Sequence, residues 1–165
     1  MKENNVELTK LKMRQPADDR NFIFAAAPML ANRLQVVGSQ VTEAITFKQW
    51  LILLIVREMP AKSTVSEIAK QYGSSRQNAK KLLDSLAKIE YVLLEQDPED
   101  KRSYAVSITQ RGKKFMKDAE KPGNAFVNMV FEGCTENDIA ATKRVIMQTL
   151  INLDSLAAQE GEGNL

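Results

Sequence analysis

Apolar side chains recur at helical spacing through Phe22, Ile23, Ala26, Met29, Leu30, Leu34 and Val37, which predicts a helix from about Asp18 onward. Pro28 falls inside that stripe. A proline there loses a backbone hydrogen bond and clashes one turn back, so the pattern predicts a kink at Pro28 or a helix that begins near it. From Thr46 to Glu58 the chain is apolar almost all round (Phe47, Trp50, Leu51 to Val56), the pattern of a buried central helix, and Pro60 stops it. A polar arm, residues 1–17, precedes these elements and a loose tail, 159–165, closes the chain.

Thr64-Val65-Ser66-Glu67 has the form of a capping box, with Val65, Ile68, Ala69 and Tyr72 as the inward face of the helix it starts and Gly73 as the left-handed residue that ends it. Ser74 or Ser75 caps the next helix. There Ala79, Leu82, Leu83 and Leu86 lie at i, i+3, i+4 and i+7, which turns Arg76, Gln77, Lys80, Lys81 and Asp84 outward. Two helices on a glycine turn make a helix-turn-helix. The polar start of the second, Ser74, Ser75, Arg76, Gln77, Asn78, Lys80 and Lys81, supplies donors suited to base edges and phosphates.

Period-two alternation follows in Val92 to Glu95 and again in Val106 to Thr109, and Asp97-Pro98-Glu99-Asp100 between them is turn chemistry. The expectation is a β-hairpin wing with Asp100-Lys101-Arg102 at its tip. That tip is either a solubilising loop or a groove contact, in which Arg102 enters a minor groove, Asp100 holds it or a basic neighbour, and Lys101 touches phosphate. Further on, Phe115, Met116, Ala119, Phe126, Met129 and Val130 form a stripe broken by Pro122-Gly123. Thr135-Glu136-Asn137-Asp138 then caps a last helix. That helix carries Ile139, Val145, Ile146, Leu150, Ile151, Leu153 and Leu156, more apolar surface than a helix outside the compact reader could hide, which argues for burial against a second subunit, the alternative being packing on its own chain.

Charge sharpens this picture where composition does not. The net charge of 165 residues is +2, but residues 61–121 hold thirteen Lys and Arg against nine Asp and Glu. With no histidine, the commonest general base and metal ligand is missing, and no GxGxxG or GxxxxGK[ST] cradle occurs; neither an enzyme, a metal site nor a cofactor is expected. Cys134 alone makes no internal disulfide and is read as structural. The longest apolar run, Trp50 to Val56, is too short for a bilayer, so a cytoplasmic location and no membrane partner are expected.

Taken together, Thr46-Phe47-Lys48-Gln49-Trp50, Thr64 to Ala69, Ser75-Arg76-Gln77, Leu82 to Leu86, Asp97 to Arg102 and Ile108-Thr109-Gln110-Arg111-Gly112 resemble the MarR-type winged-helix transcription factors. The Asp-x-Arg wing followed by Thr-x-x-Gly is the most specific part. The resemblance implies a mainly α fold with a small β-hairpin wing: a dimerisation helix in 18–45, a winged helix-turn-helix in 46–112 and C-terminal dimerisation helices in 113–158. It implies a homodimeric regulator, a repressor in the first instance, on a pseudo-palindromic operator in double-stranded DNA. A small aromatic or amphipathic effector near Phe22, Phe24, Met29, Phe47 or Trp50 would release the operator. Ile89-Glu90-Tyr91 departs from the pattern, because many relatives have a basic residue and a glycine before the strand. The alternative reading keeps the fold but makes it a protein-interaction module without specific DNA binding.

Overall fold

A computed structural model describes residues 18–42, 44–98, 100 and 102–162; the arm 1–17, Lys101 and the tail's last residues, 163–165, lie outside the described residues. In chain order these form α1 (Asp19–Gly38), α2 (Phe47–Glu58), β1 (Ser63–Thr64), α3 (Val65–Tyr72), α4 (Arg76–Lys88), β2 (Val92–Gln96), β3 (Tyr104–Ile108), α5 (Gln110–Val130) and α6 (Glu136–Glu162). The fold is mainly α with a small antiparallel sheet, as expected. Between Gly123 and Asn124 the chain divides into two compact units.

In the first unit, α1 starts where Asp18 accepts from the Arg20 N–H at 3.0 Å, and it runs unbroken through Pro28. A helix beginning at Pro28 is therefore ruled out. Thr46 caps α2 through a reciprocal pair with Gln49, a box the sequence reading missed, since a glutamine served where a glutamate is the usual signal. Ile52 and Leu53 of α2 are fully buried against Ile68 of α3 and Leu83 and Leu86 of α4 in the sense that all five carry no exposed surface. Burying one such side chain contributes about 1.5 to 3 kcal/mol, which makes this core the anchor of everything that follows.

The sheet has the order β1-β3-β2. Val106 sits in the central strand, opposite Ser63 on one side and Leu94 on the other, and is buried. The two-residue strand β1 has no signature in the sequence. Ser63 is held there by its hydroxyl donating to the Pro60 carbonyl at 2.8 Å, so the turn that ends α2 also delivers the third strand.

The break expected at Pro122-Gly123 does not occur: α5 is continuous from Gln110 to Val130. A Cβ on Gly123 would stand 2.8 Å from Trp50 Cζ2, so glycine here permits close packing of α5 on Trp50. That packing offsets what Pro122 forfeits. In the second unit, Thr135 caps α6: its hydroxyl donates to the Asp138 carboxylate at 2.6 Å and accepts from the Asp138 N–H at 3.2 Å. Asp138 is thereby held below the usual carboxylate range, first by the hydroxyl and then by the backbone N–H of Thr135. Val145, Ile146, Met147, Leu150, Ile151, Leu153 and Leu156 of α6 are all exposed.

Candidate nucleic-acid interface

The expected helix-turn-helix is built by its caps. Glu67 takes a hydrogen bond from the Thr64 N–H at 2.7 Å and one from the Thr64 hydroxyl at 2.9 Å, and both hold its carboxyl below the ordinary range, the backbone bond more strongly. Gly73 ends α3 at φ 69°, its N–H returning to Ala69 and Lys70. Of the two serines proposed as cap, Ser75 performs the role, accepting from the Asn78 N–H at 3.2 Å, while the Ser74 hydroxyl donates to the Ser75 carbonyl at 3.3 Å. With Ala79, Leu83 and Leu86 fully buried, Arg76, Gln77, Asn78 and Lys81 stand in solvent and Lys80 is half-buried.

The wing is held at tip and base. At the tip the Asp100 carboxylate accepts from the Arg102 backbone N–H at 2.9 Å, and the Ser103 N–H donates to the Asp100 carbonyl at 2.8 Å. Asp100 therefore orders the backbone of the turn that carries Arg102. Lys101, named with them, lies outside the described residues. At the base, the Thr109 hydroxyl donates to the Glu90 and Tyr91 carbonyls and accepts from the Gly112 N–H at 3.0 Å, tying α4, the wing and α5 in one knot. Glu90 occupies the left-handed region at φ 61°, a conformation that favours glycine, and its carboxylate meets Arg111 at 2.8 Å. The departure at Ile89-Glu90-Tyr91 thus keeps a turn geometry that glycine adopts without penalty.

Between α4 and the wing lies an open cleft of about 560 Å³ lined by Arg76, Gln77, Lys80, Lys81, Arg102 and Tyr104. Five residues singled out from sequence meet there. Ser74, Ser75 and Asn78 sit at the start of α4 beside it, and Asp100 is on the wing tip. Tyr104 was missed. Its only signal is an aromatic at the first position of a strand, opposite Gln96, where the hairpin's alternation had not yet begun. Lys80 Nζ stands 4.7 Å from the centre of its ring and pairs with Asp84, and Arg76 Nη2 donates to the Arg102 carbonyl.

The residues expected to hold an effector are spread over two environments. Phe47 and Trp50 form an edge-on pair, centroids 5.8 Å apart, and both are buried; a Cβ on Gly38 would meet Phe47 Cδ2 at 2.3 Å. They are packed core. On α1, Phe24 is 83% exposed, Phe22 is also exposed and Met29 is half-buried. Cys134 is exposed in the turn before α6. Among the described residues no three His, Cys, Asp or Glu side chains are grouped to hold a metal, and no helix is long and apolar enough to cross a membrane.

Residues 45–104, from two residues before α2 to the first residue of β3, match the model of the MarR family. The chain carries a MarR-family domain over that stretch. Its winged helix-turn-helix is the fold of the MarR regulators on which it superposes. The transcriptional activatory protein BadR of Rhodopseudomonas palustris is 27% identical over 141 residues, covering 82% of this chain and 81% of BadR. A MarR/EmrR family regulator from Acinetobacter sp. ADP1 superposes with a TM-score of 0.72 at 20% identity, over 84% of this chain and 99% of its own. Bordetella bronchiseptica BpsR, whose DNA binding is regulated by 6-hydroxynicotinic acid, superposes with a TM-score of 0.69 at 15% identity, over 80% of this chain and 98% of its own.

Proposed function

We propose that this chain is a MarR-type transcriptional regulator that binds a pseudo-palindromic operator as a homodimer, with the start of α4 in a major groove and Arg102 in the adjoining minor groove. The observation that carries this reading is the cationic cleft between α4 and the wing, where Arg76, Lys80, Lys81 and Arg102 face a space open to solvent. Gln77, exposed at the start of α4, is the base reader in this scheme, and Lys81 a phosphate contact. Homodimerisation is supported by the apolar side chains left in solvent on α6 and, separately, by Ile23, Phe24, Leu30, Val36 and Val37 on α1. Two readers must lie roughly 34 Å apart, about one duplex turn, to engage successive major grooves.

The same reading includes an effector, a small aromatic or amphipathic molecule held by Phe22, Phe24 and Met29 of α1. BpsR supports it by example, its DNA binding being under small-molecule control. Repression is the direction proposed in the first instance, and the name of BadR, a transcriptional activatory protein, supports activation as the alternative.

The test is selection of duplexes from a random-sequence pool, followed by mobility shifts across a salt series. The wild type is expected to enrich one pseudo-palindrome with affinity falling steeply in salt. Arg102→Ala should weaken binding and reduce the salt slope by about 1, whereas Gln77→Ala should relax base preference by about 1 to 3 kcal/mol. Failure to enrich any sequence, or salt-insensitive retention, would favour the protein-interaction reading instead.

A further inference from the structure

The four cations that line the cleft look alike in sequence, but they divide by what they touch. Arg76 and Lys80 are four residues apart and share one stripe of α4. That stripe leans on the wing: Arg76 Nη2 donates to the Arg102 carbonyl, and the Lys80 ammonium lies over the Tyr104 ring while Asp84, one further turn on, takes its charge. Gln77 and Lys81 form the neighbouring stripe, exposed and, among the described residues, without such a partner on the wing.

We propose that Arg76, Lys80 and Tyr104 are positioning residues that strap the wing to the recognition helix, leaving readout to Gln77, Asn78 and Lys81 and to Arg102. The inference rests on the DNA-binding reading above and deepens it. A reader that engages two adjacent grooves must fix the spacing between helix and ribbon, and fixing it in the free protein removes an ordering cost from the bound state. A hairpin tip joined only through β2 and β3 swings about its base. The Arg76 bond grips it at the carbonyl of the residue destined for the minor groove, and the Lys80 contact grips it at the first residue of β3. Tyr104 contributes its ring face to that grip, so the proposal expects phenylalanine to substitute for it and leucine to fail.

Two measurements on the full chain decide this. In the free protein, Arg76→Ala should speed amide hydrogen exchange at Asp97 and Ser103, whose N–H groups close the wing tip. The expected gain is about three- to tenfold, the equivalent of one exposed hydrogen bond, with α3 amides unchanged. Tyr104→Leu should do the same and Tyr104→Phe should not. On a duplex enriched by the wild type from a random pool, Arg76→Ala should weaken binding while preserving base preference at every position. In an Arg102→Ala background it should add little further loss, because a strap has nothing left to position. Unchanged exchange at the wing tip overturns the proposal, as do losses that multiply in the double variant or a preference lost at one base pair, since those are the marks of a direct reader. A wild type that enriches no duplex overturns the DNA-binding reading, and the exchange measurement still decides the strap.

Discussion

Replacing Gly112 by alanine adds one methyl group, and two physical effects pull in opposite directions. Gly112 lies in the first turn of α5, where alanine should favour the helix by about 1 kcal/mol. Its Cβ, however, would stand 2.2 Å from the Tyr91 carbonyl oxygen and 2.9 Å from Ile108 Cγ1, more than 1 Å short of an ordinary contact with the oxygen. That oxygen belongs to the backbone and accepts from the Thr109 N–H at 3.1 Å and the Thr109 hydroxyl at 3.2 Å, so moving it stretches the knot at the base of the wing. Overpacking of this kind costs about 1 to 3 kcal/mol, and each weakened hydrogen bond adds about 0.5 to 1.5 kcal/mol. The clash wins: the net expectation is a loss of about 2 to 4 kcal/mol. For a chain of this length that lowers the melting temperature by about 5 to 15 °C, read by thermal circular dichroism. Gly73→Ala is the control, since its Cβ meets nothing and only the left-handed φ of 69° resists it, at a cost of about 1 kcal/mol. A Gly112→Ala protein that melts at or above the wild-type temperature would refute the close approach of α5 to the Tyr91 carbonyl.

Three further outcomes follow from the geometry. Gly123→Ala should push the Trp50 ring and shift the emission of the chain's single tryptophan with a loss of stability, and an unchanged spectrum would contradict the packing of α5 on α2. Glu67 and Asp138 are depressed in the folded chain, so what they contribute is present above their ordinary values of 4.5 and 3.8 and is lost as pH falls through the lower folded values. Glu67→Gln should therefore make the acid limb of a denaturant-midpoint profile shallower, and an identical limb would count against the capping box. Glu90→Gly relieves a left-handed non-glycine worth about 1 kcal/mol but frees the unfolded chain by a similar amount, so its midpoint should move by under about 1 kcal/mol. A large loss in that variant would assign the exposed Glu90–Arg111 pair a weight that such pairs do not normally carry.

Local chemistry alone determined much of this protein. The threonine-to-glutamate box, the left-handed glycine and the leucine spacing of α4 act within a few residues, and so does the alternation of β2 and β3, which is why helix-turn-helix and wing were legible as a pattern. Tertiary structure decided what no short window encodes. A two-residue strand exists only because Val106 is there to pair with it, and α5 runs through Pro122 because the next residue lets it settle on Trp50. Arg76 and Gln77 are neighbours with similar prospects in sequence, yet the twist of one helix against one hairpin sends the first to the wing and leaves the second in solvent. Side-chain partners across 26 positions depend on the relative placement of elements, and that placement is set by the buried core rather than by the residues that use it.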